Sequence, residues 1–197
     1  MTTKKKQTNK LVKDMGALKT PVFYIFGIVA IASAIIVCGF QLSTIITAQF
    51  LILLVAAASA DINQGIVPDL VPISIAVLAI IKIFIDGISG SNILNCLEGA
   101  VCLAIPMLIV ALIVNGAFGG GDIKLIAAAG LFLGLDKTLI AGVITFILAG
   151  CYGIYILIVK KKSSRSKIRF APFIALGCAF SGLFGDVFIL MIKSFFT

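Results

Sequence analysis

The sequence contains no histidine and no tryptophan. Without histidine there is no Ser-His-Asp triad, no imidazole metal ligand and no imidazole proton relay. Charge is also scarce: 12% of residues are charged, against about a quarter in an average soluble domain. The five cysteines, Cys38, Cys96, Cys102, Cys151 and Cys178, are odd in number and form no Cys-x-x-Cys pair. They support neither a zinc site nor a disulfide framework, and each sits in apolar sequence where a free thiol acts as a small hydrophobe. No metal and no cofactor is expected.

What is abundant is apolar sequence. The chain is 61% hydrophobic with a mean hydropathy of +1.22, a composition that belongs to membrane proteins. The fold class expected is all-α: a polytopic bundle of about six to seven transmembrane helices. Apolar runs cover 22–40, 45–60, 71–85, 93–114, 122–133, 137–159 and 171–196. Residues 1–20 read as a basic cytoplasmic tail, and 21–197 as one membrane domain. The fourth run holds Pro106, where a kink is expected. The fifth is short: its 12 residues reach about 18 Å against a hydrocarbon core of about 30 Å.

The net charge of +8 is placed in two clusters. Lys4, Lys5, Lys6, Lys10, Lys13 and Lys19 precede the first run; Lys160, Lys161, Lys162, Arg165, Lys167 and Arg169 fill the loop before the last. Aromatic residues do not interleave with them, as single-stranded nucleic acid binding would require. They read instead as cytoplasmic flanks of membrane spans. Both clusters lie on one side only if the crossings between them are even in number. The six runs from 22 to 159 satisfy this if 122–133 crosses. The same count brings the loops after 60 and after 114 to the cytoplasmic side.

Those two loops carry acids. One is Asp61-Ile62-Asn63-Gln64-Gly65-Ile66-Val67-Pro68-Asp69; the other is Gly119-Gly120-Gly121-Asp122-Ile123-Lys124. A carboxylate in such apolar surroundings is costly unless it has a partner or a polar cavity, so it marks a functional site by default. Two carboxylates held close share a proton, because both cannot ionise cheaply. One then activates a water while the other protonates the carbonyl under attack. Such a pair hydrolyses an amide without metal, histidine or nucleophilic serine.

Asp61 and Asp122 are the expected pair. Asp69 is the rival to Asp61, its alternative being a helix cap after Pro68. Gly119, Gly120 and Gly121 are expected to use positive φ or close backbone approach to admit an extended peptide; a plain helix-helix contact is the alternative. Lys124 either positions a carboxylate or snorkels to the interface. Helix polarity would favour an anionic Asp122 at a helix start and a protonated Asp61 at a helix end. Asp86, Glu98, Asp136 and Asp186 read as interfacial charges.

These residues resemble the type IV prepilin peptidases, membrane aspartic proteases that include the archaeal preflagellin peptidases. The resemblance rests on Asp61 with Pro68-Asp69, on Gly119 to Lys124, and on Arg169-Phe170-Ala171-Pro172-Phe173-Ile174-Ala175-Leu176-Gly177, in that order. It covers about residues 45–185, and departs at Ala171, where the family usually has glycine. It implies that Asp61 and Asp122 are the catalytic pair. It implies substrates with a short basic leader and a hydrophobic helix, cut at the cytoplasmic face of the cell membrane. The paired-cysteine region of the methylating members has no counterpart here, so the resemblance is to the short, peptidase-only type. A presenilin-like protease shares the Gly-x-Gly-Asp, but no Pro-Ala-Leu stands near the C-terminus. A proton-coupled transporter would use paired acids without needing a loop open to peptide.

Overall fold

The computed structural model describes residues 42–87, 89–114, 118–158 and 169–196. The basic tail over 1–20, the first expected span at 22–40, and the loop cations Lys160, Lys161, Lys162, Arg165 and Lys167 lie outside them. Among the described residues there are six helices and no strand. They are α1 (Leu42–Gln64), α2 (Leu70–Asp86), α3 (Gly90–Ile113), α4 (Gly120–Leu133), α5 (Leu135–Ile158) and α6 (Ala171–Phe196). Four of them, α1, α3, α5 and α6, are long and apolar enough to cross a bilayer. The protein is a multi-pass helical membrane bundle.

The apolar runs become helices because a backbone in hydrocarbon has no water to bond and must satisfy itself within the segment. Their ends follow local chemistry. α1 continues past Ala60 to Gln64, where Gly65 takes φ +68 and donates its N–H to the Asp61 carbonyl at 2.8 Å, a left-handed stop suited to glycine. Ser89 caps α3 by accepting from the Asn92 amide at 3.3 Å. Pro106 lies inside α3, which continues past it. α4 and α5 are parted by Gly134 alone, at φ +78.

α4 is the centre of the bundle. It packs against α2, α3, α5 and α6, and Leu125, Ile126, Ala128, Ala129, Gly130, Phe132 and Leu133 along it are buried. A helix that is apolar on every side belongs in an interior. Its 14 residues reach about 21 Å, so its neighbours rather than lipid enclose it. Phe132 stacks on Phe50 of α1, with ring centroids 4.1 Å apart and 12° between planes.

The α3–α4 crossing rests on glycine. A β-carbon on Gly99 would stand 2.5 Å from the Gly130 carbonyl oxygen, and one on Gly130 would overlap the Gly99 backbone in turn. Small residues permit this approach, which membrane helices use because lipid offers no hydrophobic drive between them. Beside the crossing, Asn95 of α3 accepts the Leu135 amide at 3.0 Å, satisfying an N–H that begins α5. At the same end Lys137 of α5 pairs with Asp186 of α6 at 2.8 Å, and Lys82 pairs with Asp86 at 3.2 Å.

Candidate active site

Three chain segments meet at the opposite end. The last turn of α1 brings Asp61, the first turn of α4 brings Asp122, and the lead-in to α6 brings Arg169, Phe170 and Ala171. The loop between α1 and α2 lies on the start of α4. There a β-carbon on Gly121 would stand 3.0 Å from the Val67 β-carbon and 3.2 Å from its carbonyl oxygen. Pro68 is buried behind Val67, and Asp69 and Lys124 close the contact with an ion pair of 2.9 Å.

Asp122 is the third residue of α4. It accepts the Gly119 amide at 3.2 Å, which satisfies an N–H at the helix start. Gly119 is extended, at φ −75 and ψ 143; Gly120 and Gly121 are already helical. The expected positive φ is therefore not found at these three glycines, since the helix starts earlier than the apolar run alone indicated. Close approach is found instead, at Gly121. At Gly120 nothing among the described residues lies within 4 Å of where a side chain would begin.

Asp61 is 6% exposed, and its Oδ2 has no hydrogen-bond partner among the described residues. Leaving such an oxygen bare in a folded interior costs on the order of 1–3 kcal/mol or more, which singles the residue out. The Ala171 amide, at the first turn of α6, bonds to the Asp61 carboxyl, and the Arg169 guanidinium is within electrostatic reach of it. Asp61 also acts electrostatically on Asp122. The two acids expected to pair lie at one end of the bundle, within electrostatic reach of each other.

Helix polarity is not the only influence on Asp61, which has two partners from outside α1. Asp61 does close α1, but it also faces the start of α6 and a guanidinium, both of which present positive charge to it. Asp69, at the start of α2, makes no side-chain cap; its carboxylate goes to Lys124. Lys124 thereby positions a carboxylate. Asp86 and Asp186 stand at the far end in the pairs described above, and Glu98 and Asp136 are exposed.

Arg169 and Phe170, not expected in the site from the sequence, stand at its edge. Arg169 donates to the Ile62 carbonyl in the last turn of α1. Phe170 meets Phe118 edge-on at 5.0 Å and lies 5.9 Å from Phe146 of α5. An arginine directly before a helix start was the available signal, since its partner had to lie outside its own helix.

Comparison with known proteins follows the same residues. A profile of the type IV leader peptidase family matches residues 48–154, which include both acids. The chain is 27% identical over 165 residues to the prepilin leader peptidase/N-methyltransferase of Bacillus subtilis (strain 168), an alignment covering 80% of this chain and 63% of that protein. The chain thus spans less than two thirds of that relative's length. No solved structure matches. Because the matched stretch makes up more than half of the 197 residues and carries the glycine-Asp122 turn together with Asp61, the chain belongs to the type IV leader peptidase family.

Proposed function

We propose that the protein is a membrane aspartic endopeptidase that removes the basic leader from prepilin-like precursors at the cytoplasmic face of the cell membrane. The observation that carries this reading is the buried, partly unsatisfied Asp61 carboxyl within electrostatic reach of Asp122. In this reading the 21–197 region is the peptidase domain, Asp61 and Asp122 are the catalytic residues, and the N-terminus is cytoplasmic. Family membership and the name of the Bacillus subtilis relative support the substrate class.

The mechanism follows from two carboxyl groups sharing one proton. The ionised carboxylate takes a proton from a water held between them, and the water oxygen attacks the scissile carbonyl. The protonated partner gives its proton to the carbonyl oxygen, producing a neutral tetrahedral diol. Collapse breaks the C–N bond. The proton first taken from water passes to the leaving amine, which frees the new N-terminus and a leader carboxylic acid. As the C=O reforms, one diol hydroxyl gives its proton back to the other carboxylate, so the pair returns to its single shared proton. Gly120 leaves room for the extended peptide beside Asp122, Gly119 bonds the Asp122 carboxyl and Gly121 lets Val67 pack close, while Pro68, Asp69 and Lys124 hold the two acid-bearing segments together. The proposal is of peptide cleavage alone.

Purified full-length protein, in detergent or nanodiscs, is incubated with a precursor bearing a basic leader and an apolar helix. Cleavage is expected, with a loss of at least about a hundredfold in Asp61→Asn and in Asp122→Asn at unchanged melting temperature. Cleavage that survives either substitution overturns the proposal, as does proton transport in liposomes without cleavage.

A further inference from the structure

Asp61 is held from a direction that its own helix does not supply. The side chain of Arg169 reaches the last turn of α1 and bonds the Ile62 carbonyl, 107 positions earlier in the chain. A carbonyl in a final turn has no partner within its helix, so this bond fastens a turn otherwise free to fray. The turn it fastens carries Asp61, whose carboxyl the guanidinium also faces.

The neighbours of Arg169 anchor the other side. Phe170 is wedged between Phe118, just before the start of α4, and Phe146 of α5. Ala171 is fully buried and its amide bonds Asp61. One lead-in segment of three residues thus bonds Asp61 through Ala171, bonds the same helical turn through Arg169 and braces the approach to Asp122 through Phe170. The other charged groups facing Asp61 are few. From α4 it is Asp122; Asp69, at the start of α2, is engaged by Lys124.

We propose that Arg169 is the positioning residue of Asp61, pinning the end of α1 to the start of α6 and setting a cation beside the carboxyl. Its part in cleavage rests on the peptidase reading above; the pinning itself does not. Because Arg169 acts through Asp61 and not on the peptide, its loss changes turnover and leaves binding alone. Because it is exposed, a small cation from solution can enter the place its side chain leaves.

The experiment uses the full chain with Arg169→Ala and Arg169→Lys, each checked by melting temperature. In Arg169→Ala, kcat is expected to fall about tenfold to a hundredfold with KM within about threefold, as a misplaced catalytic group predicts. Guanidinium at tens of millimolar, well below denaturing concentration, is expected to restore several-fold of that loss. Arg169→Lys is expected to lie between, because an ammonium keeps the charge but loses the planar fork that can meet two acceptors. Hydrogen exchange at the Gly65 amide, which bonds the Asp61 carbonyl at 2.8 Å, is expected to quicken at least fivefold in Arg169→Ala. That last measurement needs no substrate, so it stands even if the precursor proves to be the wrong class. Unchanged exchange at Gly65 overturns the pinning. Wild-type kcat in Arg169→Ala, or a loss that guanidinium does not relieve, overturns the positioning of Asp61.

Discussion

Val67 lies against the backbone of Gly121, and through that contact the loop after Asp61 rests on the first turn of the helix that carries Asp122. The glycine is required for distance, not for dihedral freedom. Adding one carbon would bring it to 3.0 Å from the Val67 β-carbon. One of the two segments would then have to move by a few tenths of an ångström.

Gly121→Ala is therefore expected to lower kcat/KM by about tenfold, since small displacements of reacting groups are costly. Gly120→Ala, one residue earlier with open space around it, is expected to leave the melting temperature unchanged or slightly raised, as alanine favours the helix by up to about 1 kcal/mol. Melting curves and steady-state kinetics of the two variants check the contrast. Equal behaviour would remove the Val67 contact as its cause.

The Asp69–Lys124 pair predicts a split between stability and geometry. Its side chains are 50% and 60% exposed, and exposed ion pairs contribute about 0–1 kcal/mol. Lys124→Ala is expected to cost no more than that in unfolding free energy, and a double-mutant cycle with Asp69→Ala to give a coupling below about 1 kcal/mol. If the pair matters to the site, it does so by holding the two motifs in register. The charge-reversed double variant Asp69→Lys/Lys124→Asp should then recover more activity than either single reversal.

The glycine crossing predicts the opposite split. Gly130→Ala forces a carbon into the Gly99 backbone, and overpacking against main chain lies at or above the usual range of about 1–3 kcal/mol. The variant is expected to lose melting temperature sharply while the folded fraction keeps near-native kcat, because the crossing stands away from Asp61 and Asp122. Thermal unfolding in detergent with activity measured per folded molecule tests this.

Asn95 predicts a helix-start effect. Asn95→Ala leaves the Leu135 amide without its side-chain acceptor, and because the bond is exposed it is expected to cost only about 0.5–1.5 kcal/mol. Asn95→Asp, which keeps an acceptor at the same reach, is expected to cost less in the same chemical or thermal unfolding assay.

Much of the bundle was legible from composition. The long apolar runs that became α1, α3, α5 and α6 are visible because a membrane tolerates little else, and Asp61 and Asp122 stood out as acids where acids are expensive. Helix ends were less legible. Reading 45–60 as a span stopped at the first charge, yet the helix runs on to the Gln64-Gly65 boundary, where a glycine stop was present in the sequence. The glycines before Asp122 were read as loop because glycine usually breaks helices, whereas two of them begin one. The Gly99–Gly130 crossing could not be read at all, since it depends on the relative register of two helices. Arg169 was hidden for the same reason: nothing local to residue 169 says that Ile62 will be its acceptor.

Gly65 closes α1 four residues after Asp61, so the carboxyl sits one helical turn, about 5–6 Å, inside the rim. A polypeptide lying flat along the surface cannot touch it. Under the proposed function, a precursor would have to dip a stretch of main chain toward that carboxyl, and a helix, whose backbone groups are already bonded to one another, would have to open to offer them. Selection would then fall on how readily a short piece of the incoming chain uncoils, before any side chain is inspected.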